Sequence, residues 1–191
     1  ARGDINSTDL PASNNVYCVA MDGCVDNFDE LKRWSSTPFP INTDEELLLA
    51  MLCVMDMVDK IEMLQKLQSL SKGAPGITFI NCHDEAIYAL CGVNPLFIGY
   101  GDGGCYISSD VNALSPFCDK FITLELGEMA KITKSRAYLY DSKLRKIKKN
   151  PLPTPEHIFY TNEYNLNDEA YYCPLAVKEI NSVNFCSFSF S

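Results

Sequence analysis

Histidine is nearly missing from this chain: only His83 and His157 occur among its 191 residues. Nine cysteines are present, but no two form a CxxC pair, and structural zinc sites usually draw their ligands from such close pairs. No metal site is expected on that ground, and no motif for a cofactor is found. Positive charge is also short, with 16 Lys and Arg against 25 Asp and Glu and a net charge of −9. That balance argues against nucleic acid or an anionic membrane as a partner. There is no apolar run of membrane-spanning length, no recognisable secretory leader, no internal repeat and no low-complexity block. Neither membrane insertion nor secretion is expected.

What remains is ordinary for a globular protein: 47% hydrophobic and 21% charged residues, in a chain long enough to bury one core without cross-links. Five of the cysteines, Cys18, Cys53, Cys91, Cys105 and Cys118, stand in apolar runs. They read as reduced, buried small hydrophobes, which suits a cytoplasmic protein.

The patterning changes character midway. Residues 1–15 are polar and turn-rich. Residues 16–21 form a nearly continuous apolar strand, as expected when both faces are covered. Residues 26–34 suit a short helix with acids first and Lys32-Arg33 last. Asn42 or Thr43 can cap a second helix, with Glu45 and Glu46 in its first turn and the apolar run 47–58 as its buried body. Apolar residues at Ile61, Leu64, Leu67 and Leu70 predict a third helix over 60–70, stopped by Gly73-Ala74-Pro75-Gly76. Short strands rich in β-branched and aromatic residues follow at 77–81, 86–90, 96–100, 104–108, 120–124, 130–133 and 136–140, with one helical turn at 110–114. Prolines 151, 153 and 155 favour extended chain from 148 onward. The end, 185–191, alternates apolar and polar residues like a strand able to pair with a sheet edge or another chain. Helices preceding a strand meander predict an α+β, layered fold.

Two segments carry more than structure. Val16-Tyr17-Cys18-Val19-Ala20-Met21-Asp22-Gly23 runs from a strand into a glycine turn, and Asn42-Thr43-Asp44-Glu45-Glu46 opens a helix. In this order they resemble the glutaminase domain of glutamine–fructose-6-phosphate amidotransferase, a class II glutamine amidotransferase of the N-terminal-nucleophile superfamily. In that family the strand ends in His-Asn-Gly and the helix opens with Thr-Asp-Thr-Glu. Collinear support comes from Gly92-Val93-Asn94-Pro95-Leu96-Phe97-Ile98-Gly99, from Ser108-Ser109-Asp110-Val111-Asn112-Ala113-Leu114, and from Leu124-Glu125-Leu126-Gly127-Glu128-Met129-Ala130. Val177-Lys178-Glu179-Ile180 is similar to the exit from that domain. The resemblance implies a four-layer αββα sandwich, truncated at its N-terminus. It further implies a glutaminase-like domain over 1–150 and an extended exit segment over 151–191.

The chemistry departs from the family. Its nucleophile is a terminal cysteine activated by its own α-amine, whereas this chain opens with Ala1-Arg2-Gly3. By register the family's nucleophile and glutamine-binding loop would lie upstream. Cys18 and Cys24 have neither an adjacent α-amine nor a neighbouring histidine in sequence. The oxyanion hole, in the family an Asn side chain and a Gly backbone N–H, corresponds here to Asp22 and Gly23, and the preceding His is Met21. A carboxylate accepts hydrogen bonds and repels a developing oxyanion. No catalytic residue is therefore assigned. The resemblance makes Asp44 the partner of the glutamine α-amino group. Read from the residues alone, an acid in a first helical turn serves capping and the helix dipole, and Gly23 serves a turn that needs positive φ.

Other motifs carry less. Arg2-Gly3-Asp4 spells an integrin tripeptide that matters only outside the cell. Gly99-Tyr100-Gly101-Asp102-Gly103-Gly104 lacks the lysine and following helix of a phosphate loop and reads as a strand connection. Arg145-Lys146-Ile147-Lys148-Lys149 reads as a solvated strand end. The expectation is a degenerate, catalytically inactive amidotransferase-like domain that serves as a structural or interaction module in a larger assembly or against a companion chain. It would bind glutamine at most weakly. The alternative is part of a split or larger glutamine–fructose-6-phosphate amidotransferase whose nucleophile lies on another segment.

Overall fold

The computed structural model describes residues 11–38 and 40–155. Arg2-Gly3-Asp4, the exit-like segment around Lys178 and the alternating stretch 185–191 lie outside the described residues.

The expected elements are present, with small shifts at their ends. Helix α1 spans Phe28–Ser35 and buries Phe28, Leu31 and Ser35 at helical spacing. It stops where Ser36 turns left-handed at φ 47°. Asn27 ties this helix to the end of the third helix, Lys60–Leu70, donating to Leu70 O at 2.9 Å and accepting from Lys72 N at 2.8 Å. Helix α2 spans Asp44–Met55 behind a capping box: Thr43 Oγ1 accepts from Glu46 N, and Glu46 Oε2 accepts from Thr43 N. The helix does not reach 58. Asp56 is left-handed at φ 33°, and Val58 is 98% exposed. Helix α3, Lys60–Leu70, has the expected bounds. Asp59 caps it by accepting from Ile61 N and Glu62 N.

Eleven strands form two antiparallel sheets among the described residues. The larger follows the order β1 (Ala12–Ser13), β2 (Tyr17–Asp22), β3 (Gly76–Asn81), β4 (Ala86–Leu90), β8 (Met129–Thr133), β9 (Ala137–Tyr140), β10 (Lys146–Ile147). The smaller follows the order β11 (Leu152–Pro153), β7 (Lys120–Leu124), β5 (Leu96–Gly101), β6 (Gly104–Ser108). Strand β9 starts one residue later than expected because Arg136 closes the hairpin with Thr133.

Strand β4 shows how the layers stack. Ala86, Tyr88 and Leu90 join the core beneath the helices with Leu47, Met51 and Leu64. The alternate residues Ile87 and Ala89 join a second core with Ile98, Ile107 and Ile122 of the smaller sheet. The period of two along one strand therefore builds both interfaces. Helices, larger sheet and smaller sheet make three layers of the α+β sandwich. On the outer face of the smaller sheet, opposite Ile98, the 3-10 turn Asn112–Leu114 and Cys118 pack against Gly99. Residues 151–153, expected as extended chain, supply the edge strand β11, which pairs Leu152 with Phe121.

The remaining motifs fall as read. Residues 101–104 form the β5–β6 hairpin connection. In the basic run, Arg145 pairs with Asp141 at 2.6 Å, and Lys149 pairs with Glu128 at 2.5 Å while donating to Thr123 O. Cys91 and Cys118 are buried as expected. Cys53 is a correction: it is exposed on the outer side of α2, where Asn14 Nδ2 reaches its Sγ at 3.0 Å. Cys105 is half-buried. Among the described residues no helix is long and apolar enough to cross a membrane.

Candidate functional site

Strand β2 delivers the candidate residues to one end of the larger sheet. Its last residue, Asp22, pairs with Gly76 at the start of β3, and Gly23 then turns the chain at φ +95°. That positive φ is why a glycine stands here. Two further loops stack beside the turn. Val93 N donates to Ala74 O at 3.0 Å, and Gly92 lies so close to the backbone at Ala74–Gly76 that no β-carbon fits there. On the other side, Asp26 N donates to Lys72 O at 3.0 Å.

Within this loop cluster Asp22 has a specific partner. Asn94 Nδ2 donates to Asp22 Oδ2 at 2.8 Å. The sequence placed Asn94 inside a family-like segment but gave it no role. Only the fold, which brings the β4–β5 connection against the end of β2, pairs the two residues. The carboxylate at this position thus takes up a donor.

Asp44 is fully buried at the first position of α2. The capping role read from the residues is corrected here, because Thr43 holds that role. The Asp44 carboxylate does not accept from Glu46 or Leu47; its Oδ2 instead accepts a long bond from Val25 N at 3.5 Å, and its Oδ1 has no hydrogen-bond partner. Val25 follows Gly23 by two residues, so Asp44 lies under the same turn that carries Asp22. The positive end of the α2 dipole favours the charge of Asp44. The adjacent Glu45 is buried as well, with an unpartnered Oε2, and burial pushes its carboxyl above the ordinary range.

Among the described residues, none near the turn completes a nucleophile–base pair. Cys24 is exposed, and its Sγ donates to Asp26 Oδ1 at 3.5 Å. His83 follows Asn81 at the opposite end of β3. The buried thiols are also poorly suited to chemistry: burial pushes Cys91 upward and Cys118 up to about 11. No group of metal-ligating side chains occurs among the described residues.

No family model matches the chain. It is similar to the glutamine–fructose-6-phosphate aminotransferase (isomerizing) of Bradyrhizobium diazoefficiens, with 30% identity over 180 residues, covering 90% of this chain and 28% of the relative. The corresponding enzyme of Geobacillus kaustophilus is 26% identical over 152 residues, covering 77% of this chain and 25% of its own length. That of Haemophilus influenzae is 30% identical over 146 residues, or 73% and 24% of the two chains. The chain therefore spans about a quarter of the curated relatives it matches. Among solved structures, the glutamine phosphoribosylpyrophosphate amidotransferase of B. subtilis superposes with a TM-score of 0.58 at 18% identity, over 72% of this chain and 31% of that one. A second, described as the allosteric regulatory enzyme of purine biosynthesis, gives 0.57 at 20% identity, over 71% and 30%. The fold is the one shared with these two structures over the matched part.

Proposed function

We propose that this chain, similar over most of its length to glutamine–fructose-6-phosphate aminotransferases, is an amidotransferase-like module that does not turn over glutamine and serves a structural or interaction role. The observation that carries the proposal is Asp22. It stands where the resemblance puts an oxyanion-hole donor, and its carboxylate accepts from Asn94. A tetrahedral intermediate needs preorganised donors aimed at its oxygen, and losing one costs ~10²–10³ in rate. An acceptor bearing negative charge costs more. The exposed Val93 and Leu126 support an interaction role, since their loops are joined where Gly127 N donates to Cys91 O, beside Asn94. The setting proposed is cytoplasmic, within an assembly or against a companion chain. Ammonia release from millimolar glutamine tests the reading, with turnover no higher than a buffer blank expected. Turnover abolished by Asp22→Ala or Cys24→Ala would overturn it.

A second reading rests on the share of the relatives that the chain spans: a part of a split or larger glutamine–fructose-6-phosphate amidotransferase whose nucleophile lies on another segment. It requires the turn to support hydrolysis with Asp22 in place. Recovering the protein together with whatever it co-purifies with, and finding glutaminase activity, would favour this reading over the first.

Were glutamine to be held at all, Asp44 would be the residue to meet its amino group. Its buried, unpartnered Oδ1 would suit an ammonium group. A ligand held by its ammonium alone leaves its carboxylate unmatched, so glutamine is expected to bind more weakly than millimolar, above roughly −4 kcal/mol. Calorimetry showing micromolar binding that Asp44→Ala abolishes would contradict this expectation.

A further inference from the structure

The chain passes between the two sheets three times among the described residues, in the connections 91–95 (β4 to β5), 125–128 (β7 to β8) and 148–151 (β10 to β11). All three meet at one place. Cys91 N donates to Glu128 O and Gly127 N donates to Cys91 O, each at 2.9 Å, which joins the first connection to the second. Lys149 joins the second to the third. Its Nζ donates to Thr123 O at 2.8 Å and pairs with Glu128 Oε2 at 2.5 Å and with Glu125 Oε1 at 3.7 Å.

The Lys149–Glu128 pair is sheltered, with side-chain exposures of 20% and 15%. Removing one partner of such a pair leaves the other charge poorly solvated, so the pair resists opening more than an exposed one does. The Glu128 carboxylate also closes its own turn by accepting from Glu125 N at 2.7 Å. Anchoring β11 to β7 would need only the bond from Lys149 to Thr123 O. The pair with Glu128 instead fixes the turn that carries Gly127, and with it the backbone of Cys91.

The first connection carries this grip to the candidate site. Cys91 Sγ donates to Leu124 O at 3.1 Å and to Asn94 O at 3.4 Å, which folds the connection around its own start. Beyond Cys91, Val93 N donates to Ala74 O at 3.0 Å and Asn94 Nδ2 donates to Asp22 Oδ2 at 2.8 Å. Asn94 thus stands between the backbone clamp at Cys91 and the turn at Gly23.

We propose that Lys149 is a positioning residue for the Asp22 turn. Its ion pair with Glu128 holds the three sheet-to-sheet connections as one unit and so keeps Asn94 donating to Asp22. The connection into β11 is thereby linked to the candidate site: opening the pair frees the 125–128 turn, then Cys91, then Asn94. The link does not depend on whether the module turns over glutamine.

Nuclear magnetic resonance on the full chain tests it. Lys149→Met keeps the apolar stem and removes the charge. In this variant the Val93 and Gly127 amides should exchange about tenfold faster than in the wild type, by local opening, while the α3 amides stay as protected as before. The side-chain amide signal of Asn94 should move towards its position in Asp22→Ala, where the bond is absent. Lys149→Arg, which restores the charge, should return both readouts towards wild type. Should Lys149→Met fail to fold, Glu128→Gln, which keeps an acceptor for Glu125 N, gives the same readout. Combining Lys149→Met with Asp22→Ala should cost about fivefold less in the unfolding constant than independent effects would, because members of one network couple. An Asn94 signal and Val93 exchange unchanged by the loss of the pair, or strictly independent effects in the double variant, would overturn the proposal. So would exchange accelerated equally over α3, because Lys149 would then add only to global stability.

Discussion

Asp22 immediately precedes the Gly23 turn and Asp44 opens the helix beneath it, yet they meet opposite fates. Asp22 is half-buried and accepts a hydrogen bond from Asn94, whereas Asp44 is fully buried with one oxygen unmatched. Removing the donor should reveal how much the first pairing holds the loops together. Asn94→Ala is expected to lower stability by about 0.5–1.5 kcal/mol, the net value of a partly solvated hydrogen bond, as read by denaturant melts. Thr43→Ala, which removes one half of the α2 capping box, should cost about 1 kcal/mol. Glu45 behaves differently, because burial raises its pKa above the ordinary 4.5. Its folded state favours the protonated form, so the associated stability is fully present below pH 4.5 and is lost as pH rises through the raised value. Glu45→Gln should therefore raise the melting temperature at pH 7, and the gain should shrink towards pH 4. A gain independent of pH would contradict the assignment to burial of the charge.

At the scale of elements, the loops gathered around the turn depend on close backbone approach. Gly92 leaves no room for a β-carbon against the backbone of Ala74 and Gly76. Gly92→Ala should push the two loops apart and cost about 1–3 kcal/mol, the usual penalty of overpacking, measurable as a drop in melting temperature. Its effect should couple to that of Asn94→Ala, because both hold the same pair of loops; strict additivity in the double variant would argue against this. Most elements were legible because their signals are local. The spacing of Ile61, Leu64 and Leu67 bounded α3, and β-branched runs separated by turn residues marked seven strands to within a residue or so. The overextension of α2 has an equally local cause: Met57 and Val58 continue the apolar run, but the chain turns left-handed at Asp56. What sequence reasoning missed was non-local. Asn94 reaches Asp22 across 72 positions, and Val25 N reaches Asp44 across 19. No spacing rule announces such pairs. Nor could residues alone separate the cap from the buried acid, since Thr43 and Asp44 are both suited to a helix start.

At the scale of the molecule, two cores fix which groups reagents can reach. Cys24, Cys53 and Cys82 are exposed, whereas Cys91 and Cys118 are buried with raised thiol pKa values. Titration with a disulfide reagent at pH 8 should modify the first three in the folded protein and the latter two only on unfolding. Fast modification of Cys118 in the folded state would contradict the packing of the outer face of the smaller sheet. The exposed Val93 and Leu126 belong to the proposed interaction role, and light scattering on material from its source should show a species larger than one chain. The account turns most directly on whether Asp22 abolishes hydrolysis. The decisive measurement is ammonia release from millimolar glutamine by the native protein with any companion chains retained. The account predicts a rate equal to that of the buffer blank; turnover above the blank that Asp22→Ala removes would contradict it.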